Sequence, residues 1–318
     1  MQLSDRIGRR MKLQDLHILI TVVQAGSMGK AAQRLNTTQP NISRAINELE
    51  HALGVRLLDR HRQGINPTEY GRALLDCGVA VFDDLRQGVK NIEFLADPAA
   101  GEVRIGCSHF VAASLVPAVV DQLSRRYPRI AFHIMPGTDE ALHRDLHERN
   151  VDFLVTWGAS RFADEQLAFE PLFDDVHVVV AGAQNPWVRR RKIELAELVN
   201  EPWVLPSTSS ELGTVAKRAF RARGLNPRAT VSSSPTEVRI RMLATGRFLT
   251  VVPASILRFP TRRVDIKALP VELSTTRVPV GIVTLKNRTL GAVAQLFIQH
   301  TRELAKPLAN KNRKRNVV

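Results

Sequence analysis

Near the N-terminus, apolar residues recur every three or four positions, which is the period of a helix that buries one face. The first run covers residues 13–23 and stops at Gly26. A short second helix follows Ser27, a residue type that caps helix N-termini. A third helix opens near Thr38, with Pro40 in its first turn, where a proline is tolerated. The pattern predicts three short helices around one small core.

After the third helix the pattern predicts a wing. Residues 55–58 read as a short strand, and the basic turn at 60–64 would join it to a second strand. Such a strand-turn-strand beside short helices with small residues at their crossing is typical of a winged helix-turn-helix, whose second helix lies in the DNA major groove.

A long helix is predicted from Thr68 to Ala96, because this stretch has no proline and its apolar residues alternate spacings of three and four, as in a heptad repeat. We expect this stripe to pair with a second copy of the chain, which predicts a homodimer. Packing of the stripe onto the chain's own wing domain is the alternative. The stripe consists of Leu75, Gly78, Phe82, Leu85, Val89, Ile92 and Ala96.

After the break at residues 97–101, strands and helices alternate, which indicates a mostly parallel sheet covered on both faces. Strands are expected at 103–106, 130–135 and 151–156, and a second set at 177–180, 203–205 and 248–252. The predicted fold class is therefore an N-terminal all-α winged helix-turn-helix with a long linker helix, followed by a C-terminal α/β domain of two lobes.

Composition narrows the class of partner. Hydrophobic residues make up 44% and charged residues 24% of the 318, as in a globular protein, and a formal charge of +14 would attract polyanions. No apolar stretch approaches a membrane span and no secretory signal is recognised, so we expect a cytoplasmic protein without a membrane partner. Cys77 and Cys107 lack metal or disulfide spacing and are interpreted as apolar fillers. The basic run at 311–315 is interpreted as a disordered tail.

The third helix and the wing carry the DNA-binding candidates. Gln39, Asn41 and Arg44 lie on the exposed side opposite Ile42 and Ile46, and they are hydrogen-bonding types suited to base edges and phosphates. The alternative is a solvated amphipathic face. The full set of DNA-binding candidates is Ser27, Thr37, Thr38, Gln39, Pro40, Asn41, Ser43, Arg44, Arg60, Arg62 and Gln63.

These segments fall in an order and spacing that strongly resemble the LysR-type transcriptional regulators. Leu19 and Leu58 stand where that family has phenylalanine, and both keep an apolar core. The segments are Ala25-Gly26-Ser27, Ala31-Ala32, Leu35, Thr38-Gln39-Pro40-Asn41-Ile42-Ser43, Leu49-Glu50, Leu53-Gly54 and Pro67-Thr68-Glu69-Tyr70-Gly71.

The resemblance implies a periplasmic-binding-protein-like regulatory domain, with residues 278–305 returning to the first lobe and a small-molecule effector between the lobes. It also implies a homodimer that doubles into a homotetramer, double-stranded DNA as a partner, and RNA polymerase as a further candidate partner. The expected domains are 1–67 for the winged helix-turn-helix, 68–98 for the linker and dimerisation helix, and 99–318 for the regulatory domain. Lobe I is placed at about 101–173 and 275–305, and lobe II at about 174–274.

Hydroxyl-rich positions that follow predicted strands are the effector-binding candidates, since ligands bind beyond the carboxyl ends of strands in open α/β sheets. Helix capping is the alternative for each hydroxyl. The resemblance favours Ser108, Thr138 and either Ser207 or Thr208, and the expected ligand is an organic anion. The candidates are Ser108, His109, Thr138, Trp157, Ser207, Thr208 and Ser234.

Catalysis and cofactors are not expected. His143 and His147 have a zinc-like spacing of four, with His133 and Glu148 as further candidate ligands, but the helix reads as a solvated face. Ser108 beside His109 lacks the GxSxG turn of a hydrolase. A solute-binding module and an enzyme on an α/β scaffold are the competing classes, and neither needs a helix-turn-helix.

Overall fold

We describe the chain from a computed structural model that covers residues 11–61, 64–158, 164–208, 210–233, 235–259, 265–273 and 277–315, with the backbone alone at 211 and 310–315. Its contacts divide the chain into two compact units, Met1–Val89 and Lys90–Val318, each with its own hydrophobic core.

The first unit contains the three helices that the periodicity predicts, followed by a two-stranded hairpin and the start of a long helix. Leu19, Ile42 and Ile46 are fully buried at its centre. Gly26 ends the first helix in the left-handed conformation, with φ of 69°. The elements are α1 Leu13–Ala25, α2 Met28–Arg34, α3 Gln39–Leu53, β1 Leu58–His61, β2 Gly64–Pro67 and α4 Glu69–Ala96.

The strand expected at 55–58 is wrong, because β1 begins only at Leu58 and pairs antiparallel with β2. Leu57 and Leu58 are buried in the core of the three helices, so this packing explains why they are apolar, although Leu58 also begins β1. Glu50 on α3 fixes this turn, since its Oε1 accepts hydrogen bonds from the backbone N–H groups of Leu57 at 2.8 Å and Leu58 at 3.2 Å.

The apolar stripe of α4 has two parts. In its first half, Gly78 lies against Ile20, and the ring of Phe82 lies 5.5 Å from that of His17 on α1, so this half packs on its own domain. Further along, Leu85 and Val89 are about half exposed, at 50% and 54%. Only the second half of the stripe is therefore available to a second copy of the chain.

The second unit contains two five-stranded sheets, one in each lobe. The order in lobe I is β4-β3-β5-β12-β6, and the order in lobe II is β11-β7-β10-β8-β9. The elements, in chain order, are β3 Ala100–Ser108, α5 His109–Ala112, α6 Leu115–Arg126, β4 Arg129–Gly137, α7 Asp139–His147, β5 Phe153–Trp157, β6 Leu167–Asp175, β7 His177–Gly182, β8 Trp203–Leu205, α8 Glu211–Arg221, β9 Ala229–Ser232, α9 Thr236–Leu243, β10 Leu249–Pro253, α10 Ser255–Arg258, β11 Ile266–Ala268, β12 Val278–Leu285 and α11 Ala292–Arg315.

Two α/β lobes are thus confirmed, and so is the return of the chain to the first lobe. Strand β12 lies between β5 and β6 and runs antiparallel to both. Strands β3, β4 and β5 are parallel, so their carboxyl ends meet at one edge of the sheet. Strands β6, β9 and β11 were not predicted; the polar or exposed character of many of their residues hides them from a hydrophobicity pattern.

Two further expectations need correction. Cys107 is a buried core residue, and burial raises the pKa of its thiol to about 12. Cys77 is exposed and is not a core filler.

The basic run at the C-terminus is not a disordered tail, because α11 continues through Arg315. Its lysines and arginines are good helix formers, so a helix already docked on lobe I can propagate through them. Among the described residues, none of the helices could span a lipid bilayer.

The close approach of α4 to the turn before the wing generates a prediction. A Cβ added at Gly71 would lie 2.0 Å from the carbonyl oxygen of Leu57, whereas one added at Gly88 on the same helix would meet nothing within 4 Å. Gly71→Ala should therefore lower the free energy of unfolding by about 1–3 kcal/mol or more. Gly88→Ala should leave it unchanged or raise it by up to about 1 kcal/mol, since alanine favours the helix. Urea unfolding of both variants checks this, and equal effects would contradict it.

Candidate DNA-binding and effector-binding sites

Helix α3 presents a polar face opposite its buried side. Its N-cap is Thr38, and Gln39 and Pro40 form its first turn. The side chains of Gln39, Asn41 and Arg44 are exposed, as are those of two residues further along, Asn47 and His51. The polar face is therefore free to enter a groove, and it extends beyond the residues that the sequence identified.

The wing is connected to α3 through Arg60. Its Nη2 donates to Oδ1 of Asn47 at 3.2 Å, and this places the basic side of β1 beside the polar face of α3. Arg44 forms a loose pair with Glu48, with 3.8 Å between Nε and Oε1, and both side chains are 73% exposed. An exposed pair of this kind is weak and can be exchanged for contacts to DNA.

The remaining DNA-binding candidates have different surroundings. The hydroxyl of Ser27 accepts a hydrogen bond from the backbone N–H of Lys30 at 3.1 Å and therefore caps α2. Thr37 accepts one from Nδ2 of Asn41 at 3.3 Å, while Ser43 is half-buried beside Arg44. Two wing candidates, Arg62 and Gln63, lie outside the described residues.

In lobe I, Ser108 and Trp157 come to the same edge of the sheet. Ser108 ends β3 and Trp157 ends the neighbouring parallel strand β5. Ser108 is 8% exposed and Trp157 is 1% exposed. Neither Oγ of Ser108 nor Nε1 of Trp157 makes a hydrogen bond within the described part of the chain. Although Ser108 precedes the short helix α5, its side chain does not cap that helix.

Aromatic rings connect this edge to lobe II. Phe110 on α5 lies edge-on to Trp157 with 5.7 Å between ring centroids, and it packs against apolar cores of both lobes. On its other side, Trp157 meets the ring of His177, the first residue of β7, at 5.2 Å. The junction between the lobes is therefore lined by flat side chains next to two buried polar groups.

Arg239 brings a positive charge to the same junction. This residue of α9 is fully buried, and its guanidinium carbon lies 5.8 Å from the ring centroid of Phe110. Its Nη1 donates to the carbonyl of Val251 at 3.0 Å and its Nη2 to Oγ1 of Thr236 at 3.1 Å, while Nε has no partner among the described residues. Burial lowers the pKa of Arg239 to about 10, so the group stays charged at neutral pH.

A second buried arginine shows what is unusual about Arg239. The side chain of Arg288 in lobe I is 1% exposed and forms an ion pair with Asp152, at 3.2 Å between Nη2 and Oδ1. No carboxylate among the described residues forms such a pair with Arg239. The charge of Glu237 acts on Arg239 without an ion pair and raises its pKa. Buried charges in proteins are normally paired. Arg239 therefore carries a buried positive charge that forms no direct ion pair with a carboxylate of the described chain.

A short chain of hydrogen bonds joins the lobes beside this group. Oγ of Ser255, at the start of α10, lies 3.4 Å from Oγ of Ser114, which in turn donates to the carbonyl of Phe110 at 2.7 Å. The backbone N–H of Ser255 donates to Oδ1 of Asp175 at 3.2 Å. Burial raises the pKa of the Asp175 carboxyl. Movement of one lobe against the other would act on Phe110 through these contacts.

The other effector-binding candidates are spread more widely. Thr138 is exposed and caps α7, accepting from the backbone N–H of Ala141 at 3.4 Å, as the capping alternative expects. His109 is exposed in the first turn of α5. The carbonyl of Ser207 accepts from the hydroxyl of Ser210 at 2.6 Å. Thr208 lines a cavity within lobe II, next to Lys217 and Phe220. Ser234 lies outside the described residues.

Phe110, His177 and Arg239 are not among the site residues that the sequence pattern predicts. One of them did leave a signal: Arg239 stands three residues after Thr236 and four before Leu243, which is the spacing of a core position on a helix. A charged residue at a core position indicates a function. His177 and Phe110 are indistinguishable from ordinary core residues in the sequence.

Comparison with known proteins agrees with this architecture. The profile of the bacterial regulatory helix-turn-helix protein, lysR family, matches residues 13–72, and that of the LysR substrate binding domain matches residues 96–306. The regulator TdcA of Escherichia coli K12 is 25% identical over 296 residues, which cover 92% of this chain and 93% of TdcA. GbpR of Azospirillum brasilense is 26% identical over 293 residues, covering 90% and 84% of the two chains.

Solved structures show the same fold. A full-length variant of OxyR from Pseudomonas aeruginosa matches with a TM-score of 0.65 and 22% identity, over 93% of this chain and 97% of that one. CbnR in complex with its target DNA matches with a TM-score of 0.52 and 20% identity, over 93% and 100% of the two chains.

A winged helix-turn-helix, a long helix and a two-lobed α/β domain define the class of ligand-responsive transcription regulators. The chain belongs to the LysR family: it is a DNA-binding transcription regulator with a substrate-binding domain for a small-molecule effector.

The contrast between the two buried arginines generates a prediction. Arg288→Met leaves Asp152 buried without its cation and should lower the free energy of unfolding by about 3–5 kcal/mol. Arg239→Met removes a buried charge that has no carboxylate partner, so the free protein should be equally stable or more stable. Chemical denaturation without added ligands compares the two variants. A loss at Arg239→Met as large as that at Arg288→Met would show that the described chain already compensates the charge of Arg239.

Proposed function

We propose that the effector is a small organic anion with an apolar body, and that its acidic group pairs with Arg239 at the junction of the lobes. The observation that carries this proposal is a fully buried guanidinium without a carboxylate partner in the described chain. A carboxylate supplied by a ligand would complete the ion pair and accept the hydrogen bond that Nε can still donate.

Two further donors support an anion. The Ser108 hydroxyl and the Trp157 indole N–H are buried without hydrogen-bond partners in the described chain, and buried polar groups of this kind are rare in folded proteins. Both belong to lobe I, whereas Arg239 belongs to lobe II. The ring of Phe110, which is half-buried beside Trp157, offers flat apolar surface to the rest of the ligand.

A ligand that is held by donors from both lobes binds most tightly to the conformation in which these donors lie close together. Such differential affinity shifts the population of conformations. The change would pass to the DNA-binding domain and raise or lower transcription. The domains proposed for these roles are the winged helix-turn-helix at 1–67, the linker and dimerisation helix at 68–98, and the regulatory domain at 99–318.

For DNA, we propose that the polar face of α3 reads bases and that the wing contacts the phosphate backbone. Asn47 and His51 join the residues identified from the sequence. The protein acts as a homodimer through the exposed second half of the α4 stripe, because Leu85 and Val89 are about half exposed and pairing with a second chain would bury them. The homodimer doubles into a homotetramer, as the family resemblance implies. Its site of action is the cytoplasm, where RNA polymerase is the final partner. No catalytic role is proposed.

Anion binding is tested by a thermal-shift screen of small organic carboxylates on the full chain, followed by calorimetric titration. Arg239→Met should weaken binding of a hit by at least about tenfold to a hundredfold, the value of a lost charge-assisted hydrogen bond. Arg241→Met removes an exposed arginine from the same helix and serves as the control, with affinity unchanged. Hits that bind Arg239→Met as well as the native chain would place the effector elsewhere.

The DNA-binding roles predict two different losses. Arg44→Ala should cost about 1–3 kcal/mol on the cognate site and relax base preference there, because a base contact is lost. Arg60→Ala should weaken binding to cognate and random DNA alike, because a phosphate contact is lost. The slope of the logarithm of the binding constant against the logarithm of salt concentration should fall by about one. Fluorescence anisotropy with the promoter region next to its own gene and with random DNA, at several salt concentrations, measures both. Identical losses on the two DNAs for both variants would refute the assignment.

A further inference from the structure

Two histidines and an aspartate converge on the surface of lobe I, outside the effector junction. His143 and His147 lie one turn apart on α7, and Asp164 lies shortly before β6. Oδ2 of Asp164 is 3.2 Å from Nε2 of His143 and 2.8 Å from Nε2 of His147. The two imidazole rings are 4.4 Å apart at their centroids. Neither His133 nor Glu148, the ligands considered from the sequence, belongs to this group; they contact Glu102 and Asn150 instead.

The separations suit a shared metal ion. Zinc bonds of about 2.0–2.1 Å to nitrogen and oxygen, arranged tetrahedrally, place donor atoms about 3.3 Å apart. In this group the donor atoms all lie within 4.8 Å of one another. Two histidines four residues apart on a helix are also a recurring zinc-binding arrangement, because both rings project from one face.

Hydrogen bonding and metal binding make different demands on the two imidazole rings. For both rings to donate to one carboxylate oxygen, each Nε2 would need to carry a proton. Nε2 of His147 is buried and lies 2.8 Å from Oδ2 of Asp164, within reach of either a hydrogen bond or a shared metal ion. A cation between the three groups would be bound by the lone pairs of neutral rings, so neither Nε2 would need a proton.

The carboxylate is held ready for such a role. Oδ1 of Asp164 accepts a hydrogen bond from the backbone N–H of Gln166 at 2.8 Å, which leaves Oδ2 directed at the histidines. That hydrogen bond, together with the nearby His147 and His143, lowers the pKa of Asp164, so the ligand is ionised at neutral pH. The side chains of the three residues are 25–40% exposed, so an ion and a water molecule can reach them.

We propose that His143, His147 and Asp164 form a three-ligand site for a divalent transition-metal ion, with Zn²⁺ as the best fit. Imidazole nitrogen excludes magnesium and calcium as the preferred ions, since both select oxygen ligands. Three protein ligands leave a further position for water or for an incoming group. The ion would link α7 to the segment that leads into β6, so metal binding stabilises this side of lobe I.

Isothermal titration of Zn²⁺ into the full chain, prepared without a polyhistidine tag, tests the proposal. One ion should bind per chain, and excess Mg²⁺ should not displace it. His147→Ala and Asp164→Asn should each weaken binding by about a hundredfold or more, because loss of even an outer partner of a metal ligand costs tenfold to a hundredfold. His133→Ala, which removes an exposed histidine of the same lobe, should bind Zn²⁺ like the native chain.

Co²⁺ provides a second readout that a hydrogen-bonded cluster would not give. The native chain and His133→Ala should show the intense visible absorption of cobalt in a tetrahedral site, and Asp164→Asn, which keeps the size of the side chain, should lose it. Circular dichroism checks that each variant is folded. Equal Zn²⁺ affinity in the native chain, His147→Ala and Asp164→Asn would overturn the proposal, as would a native chain without the cobalt absorption.

Discussion

The guanidinium of Arg239 lies where the two lobes meet, without solvent exposure and without a carboxylate partner in the described chain. Keeping a charge in such a place costs several kcal/mol unless another group compensates it. The surrounding fold holds the group in position through the carbonyl of Val251 and the hydroxyl of Thr236. A regulator that must respond to an anion gains from this arrangement, because the anion relieves a cost that the free protein bears. The anion then binds most tightly to the conformation in which both lobes contact it.

Topology makes this junction possible. The parallel strands β3 and β5 deliver Ser108 and Trp157 to one edge of lobe I, and α9 brings Arg239 from lobe II. Because β12 returns to lobe I and lies between β5 and β6, lobe I is built from two separate parts of the chain, one before lobe II and one after it. Phe110 packs on both cores and is tied through Ser114 to Ser255. A ligand that moves the lobes therefore acts on packed and hydrogen-bonded elements, which have few alternative arrangements.

The N-terminal domain could be predicted from the sequence almost entirely, because its signals are local. Caps such as Ser27, the stop at Gly26 and the helical period of the apolar residues act within one or two turns. The wing strand was misplaced by three residues because Leu57 and Leu58 are apolar for a tertiary reason.

The candidate sites could be predicted only in part from the sequence, because they depend on contacts between residues that are far apart in the chain. The convergence of Ser108, Trp157 and Arg239 depends on long-range packing, although Arg239 could have been noticed as a charge at a core position of its helix. The third member of the histidine group, Asp164, lies far enough from α7 in the chain that only the folded structure reveals its contact with His147. Thr138 shows the converse, since its position after a strand is equally well explained by the cap that it forms.

The central claim is that one small anion couples the junction of the lobes to DNA affinity. Linkage provides the most direct measurement, because two ligands that bind one protein must change each other's affinity by the same factor. For an anion that binds the full chain, the dissociation constant for promoter DNA is measured with and without the anion, and that for the anion with and without DNA. In the native chain we expect the two affinities to change by equal factors of about 5 to 150, and in Arg239→Met by a factor of one. A factor of one in the native chain with saturating anion would contradict it.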